Sequence, residues 1–164
     1  MDRRPVLTML AAMACAAVAA MISLPVLTYI LSPLRRRVEG ADWIDLGAVE
    51  AIPEGIPVLI PYEIVLADGW ERRSRPASAW VIRLGQRAEV LTSICPHLGC
   101  AVRWRREVSR YACPCHASAF AADGRRLSGP ALRGLDPLPS RIENGRLFVR
   151  HLMFRPGVGE RIPA

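Results

Sequence analysis

Two short stretches, Cys95-Pro96-His97-Leu98-Gly99-Cys100 and Cys113-Pro114-Cys115-His116-Ala117-Ser118, decide how this chain is read. Each offers one thiolate and one imidazole at ligand spacing, with a further cysteine beside them. As a pattern they are C-x-H, fifteen intervening residues, then C-x-x-H. Two sulfur and two nitrogen donors form a metal site, and a structural zinc ion takes such a set. Zinc would leave Cys100 and Cys115 unexplained.

The two stretches resemble the cluster loops of Rieske iron–sulfur proteins. That resemblance implies one 2Fe-2S cluster, with Cys95 and Cys113 on one iron and His97 and His116 on the other, through one ring nitrogen each. Cys100 and Cys115 stand at the positions that a disulfide joins in the cytochrome bc-type members, a pair that ring-hydroxylating dioxygenases and their ferredoxins lack. The run Gly129-Pro130-Ala131 resembles the proline loop that covers the third side of the cluster in the bc type. These matches span roughly residues 92–132. The fold they imply is all-β: an antiparallel-sheet head with an inserted cluster-binding subdomain.

The same resemblance implies a chemistry. Replacing two thiolates by neutral imidazoles raises the reduction potential into the range of quinol oxidation. The outer nitrogens of His97 and His116 then couple proton to electron transfer, which makes these two residues catalytic. Ser118 matches the family serine whose hydroxyl bonds a bridging sulfur. At Phe120, high-potential members carry a tyrosine whose hydroxyl reaches a ligand cysteine; its absence here points to an intermediate potential suited to a quinol such as menaquinol. Pro130 belongs to the covering loop, and Leu98 to an apolar rim that docks at the quinol pocket. Ala117 departs from the usual glycine, which tolerates dihedrals that alanine resists.

Working outward, Val6 to Leu31 is an uncharged, mostly apolar run of 26 residues. As a helix it would reach about 39 Å and cross a hydrocarbon core of roughly 30 Å with tilt. Pro25 bends it and Tyr29 suits an interface. Ala17-Val18-Ala19 also satisfies a signal-peptide cleavage pattern, but apolar sequence continues beyond it, which favours a retained anchor. Cys15 follows Ala12-Met13-Ala14, a poor lipoprotein box, and reads as a small membrane residue. Arg3-Arg4 loosely resembles a twin-arginine export signal, with Asp2 in place of the usual hydroxyl residue. The expected organisation is an anchor with this signal at 1–31, a linker or hinge at 32–41 containing Pro33 and Gly40, a head at 42–151, and a tail at 152–164. The expected Cys100–Cys115 disulfide needs an oxidising compartment. It places the head on the periplasmic side of a bacterial inner membrane, whereas Arg35, Arg36 and Arg37 read as a lipid head-group contact.

Within the head, strands are expected at 57–66, 79–84, 89–93, 110–113 and 146–150, with Asn144-Gly145 as a hairpin turn. Alternation at Trp80, Ile82 and Leu84, and at Leu147 and Val149, suggests half-buried antiparallel strands. Trp43, Trp70, Trp80 and Trp104 read as core or interface. His151, outside both clusters, reads as a surface or strand histidine.

The chain of 164 residues carries a net charge of +7, and all 22 basic residues are arginines. They are scattered without an aromatic platform, which argues against nucleic acid. They suit an acidic redox partner or lipid head groups instead. The implied role is the iron–sulfur subunit of a quinol:cytochrome c oxidoreductase, beside a cytochrome b-type subunit and a c-type cytochrome. The alternative is the relay subunit of an exported molybdenum oxidase such as arsenite oxidase. Gly129-Pro130-Ala131 and the long anchor favour the first.

Overall fold

From Pro5 to Leu31 no residue is charged, and in the computed structural model this run forms one helix, α1 (Arg4–Leu31, 28 residues). Pro5 sits in the first turn, where its missing N–H costs nothing. Pro25 lies inside the helix and removes one rung of its backbone ladder. Three residues on, the Thr28 hydroxyl donates to the Pro25 carbonyl at 2.8 Å. At ~1.5 Å per residue α1 is about 42 Å long, enough to span a bilayer core with tilt. None of its side chains is buried, Cys15 and Tyr29 included, so it is no core helix. It is the one helix among the described residues long and apolar enough to cross a membrane.

The structure describes residues 3–31, 43–68 and 71–164. The expected linker at 32–41, with Pro33, Gly40 and the arginine triplet, lies outside them, as do Asp2 and Trp70.

Among the described residues the head has ten strands: β1 (Ile44–Ala48), β2 (Val58–Asp68), β3 (Glu71–Leu84), β4 (Arg87–Thr92), β5 (Arg103–Arg105), β6 (Arg110–Ala112), β7 (Ala119–Phe120), β8 (Arg126–Ser128), β9 (Ser140–Glu143) and β10 (Arg146–Val149). They form three sheets, ordered β1-β10-β9, β2-β3-β4 and β5-β6-β7-β8. The pairs β1–β10, β10–β9, β3–β4, β5–β6, β6–β7 and β7–β8 are antiparallel. The head is therefore mostly β, as expected. Asn144 and Gly145 join β9 to β10 with φ of 48° and 74°, the two left-handed positions of a tight hairpin turn.

Two apolar cores share β3 and β4. Ala79, Val81 and Val90 enter one, with Tyr62, Ile64, Leu138, Leu147 and Val149. Trp80 and Leu91 enter the other, with Cys95, Val102, Tyr111, Cys113, Phe120 and Leu135. This corrects the half-buried reading of β3. Ala79, Trp80, Val81 and Ile82 are all buried, because a core lies on each face, while Leu84 at the strand's end is exposed. A strand covered on both sides reads as an apolar run and not as alternation. β10 keeps the expected pattern: Leu147 and Val149 are buried and Arg146 and Arg150 exposed. The second core carries the cysteine-bearing loops, one leaving β4 and the other joining β6 to β7.

Candidate metal centre

The two loops are closed in the same way. In the first, the N–H of Cys95 donates to the carbonyl of Cys100 at 2.7 Å; in the second, the N–H of Cys113 donates to the carbonyl of Ser118 at 2.8 Å. Each closure thus joins residues five apart and puts a cysteine at the neck. The residue before each closure is left-handed: Gly99 at φ 81° and Ala117 at φ 57°. Glycine takes that conformation freely and alanine does not, so the strain expected at Ala117 is present.

The necks are buried and the tips are open. Cys95 and Cys113 are 1% and 3% exposed and belong to no disulfide. His97 is half-buried and His116 exposed. Their rings meet edge to face with centroids 4.7 Å apart. Cys100 and Cys115 form the expected disulfide, which ties the first loop to the second. Cys113 lies beside it, all three Sγ atoms being within 4.8 Å of one another. Because Cys100 and Cys115 bind each other, Cys95 and Cys113 are the free sulfurs at the loop necks.

A third segment covers the necks. Gly129, at φ 91°, runs so close to Ser118 that a Cβ on it would lie 2.4 Å from the Ser118 Cα. Only glycine fits there. The N–H of Ala131 donates to the Ser118 Oγ at 3.1 Å, and the Arg126 guanidinium donates to the Gly129 carbonyl at 2.7 Å. Ala131 is buried, whereas Pro130 is exposed. Two leucines stand out to solvent, Leu98 on the first loop and Leu132 beyond the covering one, 61% and 65% exposed.

The donor set fits a metal centre. Burial pushes the Cys95 thiol above its usual pKa and the neighbouring Cys113 adds to this; the His97 N–H and the Ser118 hydroxyl pull it back. Two buried sulfurs side by side need positive charge between them to become thiolates. The His97 Nδ1 is buried without a hydrogen-bond partner, a donor position that a metal would satisfy. Chemically the arrangement offers two sulfurs held inside and two imidazoles whose outer edges reach solvent.

Phe120 is fully buried and pairs across the sheet with Tyr111. The Tyr111 ring lies against Trp80 and Trp104, at 5.3 and 4.8 Å, and its hydroxyl is buried with no partner. Trp80 and Trp104 are thus packing residues, as expected. Trp43 stacks under Arg141, 4.3 Å from the guanidinium carbon. His151 stands apart from the two loops, half-buried, with Nδ1 2.8 Å from the Tyr62 hydroxyl. Sequence reasoning missed the buried pair Arg133–Asp136, just beyond the covering loop. Its only signal was an R-x-x-D spacing, common on any surface.

Comparison with known proteins bears on the same region. A model of the Rieske [2Fe-2S] domain matches residues 43–139. The menaquinol:cytochrome c reductase iron-sulfur subunit of Bacillus subtilis (strain 168) is 28% identical over 135 residues, 80% of each chain. The cytochrome b6-f complex iron-sulfur subunit of Chlorobaculum thiosulfatiphilum is 26% identical over 125 residues, 76% of this chain and 62% of the relative. Among solved structures, the quaternary ammonium Rieske monooxygenase CntA superposes with a TM-score of 0.51 at 16% identity, over 69% of this chain and 32% of that one, a likeness of fold.

Proposed function

Since this chain belongs to the Rieske [2Fe-2S] domain family, we propose that it is the iron–sulfur subunit of a membrane menaquinol:cytochrome c oxidoreductase, oxidising the quinol one electron at a time. The observation that carries this reading is the Cys100–Cys115 disulfide between the two histidine-bearing loops, the feature by which the bc type departs from the oxygenase type. The named relatives point the same way and favour it over the molybdenum-oxidase relay.

Cys95 and Cys113 would hold one iron of the cluster, and His97 and His116 the other. When bound, this cluster supplies a one-electron acceptor whose histidine ligands raise its potential enough to oxidise a quinol. The remaining chemistry belongs to the chain. The buried cysteine necks keep water from the sulfurs. The outer nitrogen of an exposed imidazole accepts a hydrogen bond from the quinol hydroxyl and then its proton. Leu98 and Leu132 provide apolar contact beside that position. Ser118, held by Ala131, donates its hydroxyl toward sulfur and so stabilises negative charge.

In this reading the disulfide, which needs an oxidising compartment, supports a head outside the cytoplasm of a bacterial cell, with α1 as a single-pass anchor in the inner membrane and Arg3-Arg4 serving export. The electron passes to a c-type cytochrome, beside a cytochrome b-type subunit. On the four-stranded sheet, exposed Arg105 and Arg110 are directly opposite across β5 and β6, with exposed Arg103 beside Arg105. Glu107 pairs with Arg105 at 3.5 Å, and the remaining positive charge suits an acidic partner surface.

Purification of the complex from its native membrane tests the assignment. Association with cytochrome b and c haem, with menaquinol-dependent reduction of cytochrome c, is the expected result. A molybdopterin subunit in place of cytochrome b would contradict it.

A further inference from the structure

A guanidinium taken out of water is costly unless every donor is met. Arg133 meets its donors in an unusual way. Its side chain and that of Asp136 are 6% and 3% exposed. Nε and Nη2 grip the two carboxylate oxygens at 2.8 Å each. The other donors turn to the C-terminal tail: Nη2 to the Arg155 carbonyl at 2.9 Å, and Nη1 to the Val158 carbonyl at 2.6 Å. Between those two carbonyls stands Gly157, at φ 75°, whose N–H donates to the Pro96 carbonyl at 2.9 Å. Pro96 separates Cys95 from His97.

The tail is itself a closed loop. The N–H of Arg155 bonds the Ile162 carbonyl and that of Ala164 bonds the Met153 carbonyl, both at 2.9 Å. Asp136 in turn accepts, through its own carbonyl, the N–H of Thr92 at the end of β4, where the first loop begins. One ion pair therefore joins the covering loop, the entry to the first cysteine loop, and the tail that touches its middle. The back of that loop faces a cavity of about 650 Å³, lined by residues including Leu59, Ile64, Ile94, Pro96, Phe154 and Pro156. The hydrogen bond from the tail is what fixes the Pro96 peptide there.

We propose that the C-terminal tail, gripped by Arg133, braces the first loop through the Gly157–Pro96 hydrogen bond, and that Arg133 is a positioning residue for Cys95 and His97. This rests on the ligand assignment above. The planar fork of arginine meets a carboxylate and two carbonyls at once; a lysine ammonium has no such fork.

The test uses the full-length protein in its membrane, as Arg133→Lys and Gly157→Pro. Gly157→Pro removes the N–H that reaches Pro96 and, because proline cannot hold the φ of 75°, also draws the tail carbonyls away from Arg133. The two Arg133–Asp136 bonds lie outside the tail, so this variant remains informative if Arg133→Lys does not fold. Redox titration followed by electron paramagnetic resonance, with iron and sulfide analysis, gives the readout. Amide hydrogen exchange of 93–97 and 155–158 gives a second one, independent of the cluster. The brace predicts full cluster content in Gly157→Pro, a displaced midpoint, a broadened signal and faster exchange across 93–97. Gly157→Pro protein with an unchanged midpoint, line shape and exchange in the first loop would overturn it. Wild-type protein without iron would instead defeat the ligand assignment.

Discussion

At the scale of single residues, potential is set by hydrogen bonds to sulfur. Phe120 is fully buried and has no hydroxyl to give. A hydrogen bond to a charged group contributes ~1.5–3 kcal/mol, and 1.4 kcal/mol corresponds to ~59 mV for one electron. Phe120→Tyr is therefore expected to raise the midpoint by on the order of 60 mV or more, read by redox titration; an unchanged midpoint would remove Phe120 as the reason for a lower potential. The proposed ligands Cys95, His97, Cys113 and His116 are legible from the sequence because cysteine and histidine at this spacing have few other uses. Ala117 is legible too, since a residue other than glycine in a tight loop carries a strain that the left-handed φ of 57° bears out. Arg133 is not. An arginine declares itself only through what surrounds it, and besides Asp136 its partners lie 22 and 25 residues away in the tail.

At the scale of elements, the strands are legible where one face is wet and obscure where both are covered. β10 alternates because it has one core, and β3 does not because it has two. The tail is obscure because its Gly- and Pro-rich stretch forms no regular element, and its order comes from tertiary hydrogen bonds. Its neighbour His151, just after β10, links this end of the chain to β2 through the Tyr62 hydroxyl. Burial lowers the His151 pKa below its ordinary value, and burial pushes Tyr62 up to about 12, so Tyr62 stays neutral throughout. A histidine held neutral when folded binds fewer protons than in the unfolded chain. The head should lose stability as pH falls below about 6.5, at up to ~1.4 kcal/mol per pH unit for one such group. Above that pH His151 contributes no slope. Denaturant titrations between pH 5 and pH 8 check this: His151→Gln should flatten the acid limb, and an acid limb of unchanged slope would clear His151 of the effect.

At the scale of the whole molecule, the described residues combine one long apolar helix with a β head whose two histidine-bearing loops are organised with a third segment. The two loops supply donors and are tied by the disulfide; the third segment, from Gly129, covers them through a contact only glycine permits. That division of labour gives buried sulfur and open imidazole in one site, which is what proton-linked one-electron transfer requires. The decisive measurement is electron paramagnetic resonance of the reduced full-length protein, with ¹⁵N-labelled histidine and parallel iron and sulfide analysis. Two irons and two sulfides per chain, with hyperfine coupling to two histidine nitrogens that fails in His97→Ser and His116→Ser, is the outcome expected. A silent protein holding zinc, or a cluster without nitrogen coupling, would contradict the assignment of Cys95, His97, Cys113 and His116.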